Sequence, residues 1–123
     1  MSVVCKVADG YKVFVKGSPE RISELCLPHT LPHDYDQVLA RYTTQGCRVI
    51  ALAVKGLTQM NFRKVQKLQR AEVEKDLNFL GFLVMENKLK PVSTSVIKKL
   101  AECELNTIMA TGDNVLTAIS VAR

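Results

Sequence analysis

The feature that most constrains this chain is a pair of β-rich runs near its amino end, residues 2–8 and 11–16, joined by Asp9-Gly10. Asp-Gly accepts the positive φ angles of a type I′ turn, whose twist matches the strands it joins, so an antiparallel hairpin is predicted. Alternation puts Val3, Cys5 and Val7 on one face of the first strand. In the second, Tyr11, Val13 and Val15 share one face, and Lys12, Phe14 and Lys16 the other. An aromatic ring between two lysines can hold a flat base and its phosphates together; equally, lysine stems can simply cover the ring.

The hairpin runs into Lys16-Gly17-Ser18-Pro19-Glu20. Ser18 suits an N-cap, Pro19 the first helical position and Glu20 the first turn, so a helix with Ile22, Leu25 and Cys26 on one side is expected. Lys16 then precedes a helix N-terminus, a place that favours anions, although a lone lysine there is otherwise just solvated. Two prolines make His29 and His33 loop residues rather than a helical metal pair, and no metal site is expected.

A second helix is predicted over 33–45, with Tyr35, Val38, Leu39 and Tyr42 in one stripe and Gly46 as its stop. The nearly continuous apolar run 47–54 suits a strand covered on both faces. Arg48 stands at its start, where its planar fork suits a phosphate oxygen pair or a surface salt bridge. Residues 61–76 read as a solvated helix and 77–85 as a second buried strand. A polar stretch, 86–91, leads to a helix from Pro91 through Glu102 with Val92, Val96, Ile97, Leu100 and Ala101 inward.

The last stretch, Thr107-Ile108-Met109-Ala110-Thr111-Gly112-Asp113-Asn114, reads as strand and tight loop, followed by a helix carrying Leu116 and Ile119. Such a junction points backbone N–H groups and a helix dipole out of the carboxyl edge of a sheet, where α/β proteins bind phosphate. Thr111 would add a hydroxyl donor, Gly112 lets a ligand approach the backbone, and Asp113 can cap the helix or face a metal–phosphate group. Taken alone, these residues fit a phosphate loop and a plain capped helix equally well.

The fold class expected is therefore α/β, α+β in its first part: an antiparallel hairpin plus strand/helix alternation, ending in a strand–loop–helix piece of a parallel doubly wound domain. Composition adds exclusions. The longest apolar run, 77–85, contains Asn78 and Gly81 and is far short of a bilayer span. The start of the chain has no secretory-signal pattern, and the four cysteines lack zinc spacing and are expected to be reduced. Seventeen Lys and Arg against twelve Asp and Glu favour an anionic partner, but with no Trp and scattered charge a nucleic-acid partner is not expected.

Four blocks occur in one order: Met1-Ser2-Val3-Val4-Cys5, Lys16-Gly17-Ser18-Pro19-Glu20, Gly46-Cys47-Arg48-Val49-Ile50-Ala51-Leu52-Ala53 and Thr111-Gly112-Asp113-Asn114. The set, which covers essentially the whole chain, resembles the cytosolic region of P-type ATPases, from inside the nucleotide-binding (N) domain into the phosphorylation (P) domain. Glu86-Asn87-Lys88-Leu89-Lys90 departs from the Asp-Pro-Pro-Arg-type hinge of calcium and sodium–potassium pumps. It is similar instead to the fifth subclass, particularly the endolysosomal branch associated with polyamine export, as is the ending Thr-Gly-Asp-Asn-x-x-Thr-Ala-Ile-x-Val-Ala-Arg.

The resemblance implies an N-domain part over 1–85, a hinge over 86–91 and a P-domain part over 92–123. It makes Lys16 and Gly17 part of the family's Lys-Gly-x-Pro-Glu motif lining the adenine pocket, and Arg48 a contact to ATP phosphate. The family's own aromatic adenine contact is missing from this sequence, and Phe14 is a candidate from strand alternation alone. Thr111, Gly112 and Asp113 become the loop that steadies the transferred phosphoryl group beside Mg²⁺. ATP and Mg²⁺ are the implied cofactors in the intact pump, with its transmembrane, actuator and phosphorylation domains as partners and an endomembrane, late endosomal or lysosomal, as location.

The Asp-Lys-Thr-Gly-Thr segment bearing the phosphorylated aspartate and the later Gly-Asp-Gly-x-Asn-Asp segment are both absent from this sequence. The chain alone is therefore expected to form no phosphoenzyme and to bind nucleotide weakly at most. Its P-domain part would lack its central strand, so 91–123 is expected to lean on 1–85, self-associate through an exposed strand edge, or be poorly protected. The competing function is a non-enzymatic module whose basic surface binds an acidic partner or anionic lipid. A small phosphatase is a third reading, and the missing aspartate motif speaks against it.

Overall fold

The predicted hairpin forms, with its turn one residue early. In the computed structural model, which describes residues 1–58, 60–86, 88–112 and 115–122, Ala8 and Asp9 make the turn. Strand β1 (Ser2–Val7) pairs with β2 (Gly10–Gly17), and Val7 and Gly10 are the last partners. Gly10 is already in the ladder, at a φ of 127° that a side chain would rarely accept. Glycine is thus needed at the place predicted, but as the first strand residue rather than inside the turn.

The sheet continues through β3 (Arg48–Leu57) and β4 (Asn78–Met85) in simple order β1-β2-β3-β4, every neighbouring pair antiparallel. Helices α1 (Pro19–Leu25) and α2 (Tyr35–Thr44) pack against it on one side. The fold is mixed α/β, as expected. Ser18 caps α1 by accepting from the Arg21 amide, with Pro19 in the first turn, as the sequence implied. At the end of α2 the amide of Gly46 donates to the Thr43 carbonyl and that of Cys47 to Tyr42, the paired closure in which a left-handed residue ends a helix. Gly46 supplies that residue, at φ 78°.

The core lies between the sheet and these helices: Val13, Val15, Ala51, Ala53 and Leu57 from the strands, Ile22 and Cys26 from around α1, and Val73 and Leu77 from the segment that leads into β4. Ile22, Leu77 and Val13 are the largest fully buried side chains, each worth about 1.5–3 kcal/mol of apolar burial.

Four expectations are corrected. The apolar runs 47–54 and 77–85 are not covered on both faces: Ala51 and Ala53 are buried, while Leu80 and Leu83 are exposed. No layer among the described residues covers the second side of the sheet. The helix predicted over 61–76 is two single turns, α3 (Phe62–Val65) and α4 (Arg70–Val73). The chain restarts at Gln69, whose backbone is extended and whose amide donates to the Glu72 carboxylate at 2.8 Å. Val73 is in the core, and Val65 and Leu68 pack against it from before the break.

Helix α5 (Ser93–Glu102) begins two residues later than Pro91, and its expected inward residues Val92, Val96 and Ile97 are exposed. Finally, residues 107–112 form no strand, so the terminal piece of a parallel doubly wound domain is not built; Ile108 is 90% exposed. A strand exists only with a ladder partner, and among the described residues no strand pairs with this segment. Helix α6 (Val115–Ala122) follows and lies against α2. Among the described residues, no helix is long and apolar enough to cross a membrane.

Candidate functional site

Period-two alternation determines which side chains can meet. Lys16 pairs with Leu52 across the β2–β3 ladder, so Lys16, Leu52, Ile50 and Arg48 stand on one face of the sheet. Phe14, opposite Val54, joins them. The opposite set, Val15 with Ala53 and Gly17 with Ala51, faces the helices.

At the end where β2 leaves the sheet and β3 enters it lies a cleft of about 510 Å³, within the range of small-molecule sites. Lys16, Gly17, Ser18, Pro19 and Glu20 form one wall, Arg48, Val49 and Ile50 another, and Leu39 and Thr43 of α2 contribute, with Gly112 at the rim. Of the residues singled out from sequence, Lys16, Gly17, Arg48 and Gly112 are therefore brought together. Phe14 is not in this cleft. It lines an adjoining apolar hollow of about 160 Å³ with Val3, Leu52 and Leu80, and Lys16 belongs to both. Thr111 is exposed and absent from the cleft lining, and Asp113 lies outside the described residues.

The cleft is lined by two basic side chains, Lys16 and Arg48, together with the carboxylate of Glu20. Its chemistry is that of an anion receptor with an apolar flank: an ammonium as point charge, a guanidinium able to grip two oxygens, and a neighbouring hollow for a flat apolar group. A Cβ added at Gly112 would meet nothing within 4 Å, so a ligand has room to approach the backbone there. Thr43 spends its hydroxyl on its own helix, donating to Leu39 and Ala40 at 3.0 and 3.1 Å. It shapes the cleft rather than serving as a donor.

Sequence reasoning missed the support behind this wall. Tyr35, buried at the start of α2, donates its hydroxyl to the Pro19 carbonyl at 2.8 Å. Its ring meets Phe79 and Phe82 of β4 at centroid distances of 5.1 and 4.8 Å. Burial pushes the phenol up to about 12, and the nearby Cys26, Glu20 and Asp36 push in the same direction. The helical stripe marked Tyr35 as inward-facing, but no local pattern encodes which carbonyl its hydroxyl will find.

A family profile, P-type ATPase cytoplasmic domain N, matches residues 1–92. The whole chain is 50% identical over 125 residues to the vacuolar cation-transporting ATPase YPK9 of Saccharomyces cerevisiae, of which it covers 8%. It is 46% identical over 125 residues to the probable cation-transporting ATPase 13A5 of Homo sapiens, covering 10%. It is 44% identical over 126 residues to the human polyamine-transporting ATPase 13A3, again covering 10%. The chain thus spans about a tenth or less of the length of these relatives.

Proposed function

The chain belongs to the P-type ATPases, and we propose that it holds ATP in the cytosolic part of such a pump. In this reading residues 1–85 belong to the nucleotide-binding domain, 86–91 to the hinge and 92–123 to the phosphorylation domain. The intact protein couples ATP hydrolysis, through an aspartyl-phosphate, to movement of a cation or polyamine across an endomembrane. The named activities of the relatives, cation and polyamine transport, support that choice of cargo.

The observation that carries the reading is the convergence of Lys16 and Gly17 from β2 and Arg48 from β3 on one cleft of suitable size. Arg48 contacts the triphosphate, while Lys16, which lines both the cleft and the hollow beside Phe14, helps that hollow receive the flat end of the nucleotide. Mg²⁺ enters with the nucleotide and, in the intact protein, offsets charge at the transferred phosphoryl group. Thr111, Gly112 and Asp113 support that group in the intact protein.

Affinity of this chain alone is weak, on the order of millimolar, about −4 kcal/mol, because further pocket residues belong to other segments of the pump. Because this sequence holds no Asp-Lys-Thr-Gly-Thr segment, the chain alone turns over no ATP. Equilibrium titration with Mg-ATP tests this: Lys16→Ala and Arg48→Ala should each weaken binding about tenfold, as for loss of a charged hydrogen bond. Unchanged affinity in both would refute the site, and steady phosphate release by the chain would refute its inactivity.

The exposed Phe62, Arg63, Lys64 and Lys67 favour a second reading, in which the basic segment around α3 binds an acidic partner or anionic lipid. Binding that survives Lys16→Ala but is lost on neutralising α3 would support it instead.

A further inference from the structure

We propose that Tyr35 is a positioning residue for the nucleotide cleft: through its hydrogen bond to Pro19 it holds the Ser18–Glu20 part of the wall, beyond the end of β2, in place against the ladder that carries Lys16 and Arg48. The proposal rests on the reading of the cleft given above.

Tyr35 does not line the cleft. A buried tyrosine hydroxyl needs a partner, and the partner here is informative. It is a carbonyl 16 residues away, on the residue that forms the cleft wall, rather than one in its own helix. The donor itself cannot swing, because Phe79 and Phe82 clamp the ring and also meet each other at 5.2 Å. Both phenylalanines come from β4, whose partner β3 carries Arg48. Lys16 and Gly17 are held beside β3 by the β2–β3 ladder, and the Ser18–Glu20 part of the wall is tied to the same sheet by a second route: the β3–β4 ladder, the aromatic trio, the Tyr35 hydroxyl and Pro19.

The wall has other supports, at Lys16 and Gly17. Lys16 exchanges backbone hydrogen bonds with Met1, which extends the sheet edge. Ile22 lies beneath Gly17, where an added Cβ would approach it to 3.5 Å. Removing the Tyr35 hydroxyl lowers the fraction of molecules whose wall is in the competent position, and apparent affinity falls by that fraction.

The test compares Mg-ATP binding and amide hydrogen exchange in wild type, Tyr35→Phe, Lys16→Ala and Val73→Ala, well below the melting temperature. Val73 is buried in the core outside the cleft lining, so its variant reports general destabilisation. Tyr35→Phe should raise Kd about 3- to 10-fold, the range for loss of one net hydrogen bond, and speed exchange at residues 20–22. Val73→Ala should leave Kd unchanged. An unaltered Kd in Tyr35→Phe, or an equal rise in Val73→Ala, overturns the proposal. If wild type shows no binding that Lys16→Ala weakens, the cleft reading fails; unchanged exchange at residues 20–22 in Tyr35→Phe would then separately overturn the tether.

Discussion

Cys26 and Leu77 form an isolated parallel bridge in an otherwise antiparallel molecule, tying the end of α1 to the residue before β4. The amide of Leu27 donates to the Leu77 carbonyl at 2.8 Å, and the Leu77 amide to Leu25 at 3.0 Å. Leu77 is fully buried among Val13, Ile22 and Val73. Leu77→Ala should therefore cost about 2–5 kcal/mol, the sum of lost transfer energy and a residual cavity. Urea unfolding should show this as a lower midpoint at unchanged slope. A loss below about 0.5 kcal/mol, the level of a surface substitution, would mean that the site is not part of the core.

The four thiols should separate by reactivity. Cys26 is buried and desolvation pushes its thiol up, so little thiolate is available to attack. Cys103 is exposed. Limited alkylation followed by peptide mapping should label Cys103 first, and Cys26 only when the protein unfolds. Early labelling of Cys26 in the folded chain would contradict its burial.

Tyr35 gives stability a pH dependence at the alkaline end. Its folded pKa is raised from the usual 10 to about 12, so the neutral phenol is favoured in the folded state. The corresponding stability is fully present below pH 10 and is lost as pH rises toward 12. Melting temperature should fall across that window, and fall less steeply in Tyr35→Phe. Parallel curves would show that Tyr35 ionises as freely as in the unfolded chain.

Residues 106–110 lie outside any strand or helix, and Ile108 is almost fully exposed. Their amides should exchange within the earliest time points, while those of β2 and β3, in the middle of the sheet, exchange last. Late exchange at Ile108 would require a ladder partner that this fold does not supply.

What sequence could reveal followed from whether the signal was local. The hairpin, the Ser18-Pro19 helix start and the Gly46 stop each rest on a few adjacent residues, and all three form. The strands β3 and β4 were recognisable as apolar runs, but their partners were not. Ile50 and Leu80 have the same hydrophobicity in a two-sided parallel sheet or a one-sided antiparallel one. The break at Gln69 was hidden because Glu72 is as good a helix former as a capping partner. The terminal strand failed because Ile108 and Met109 have β propensity without a neighbour, and strand formation needs both. Lys16, Gly17 and Arg48 were identifiable from motif chemistry, whereas the Tyr35–Pro19 contact depends on a fold that brings α2 beside α1.

The central claim is that the cleft between Lys16 and Arg48 takes a nucleotide, and residue-resolved NMR titration of the chain with Mg-ATP tests it most directly. The account predicts saturable shifts concentrated at Phe14, Lys16, Gly17 and Arg48, weakened by Lys16→Ala and not reproduced by an unrelated polyanion. Shifts confined to residues 61–70, or produced equally by any polyanion, would contradict it.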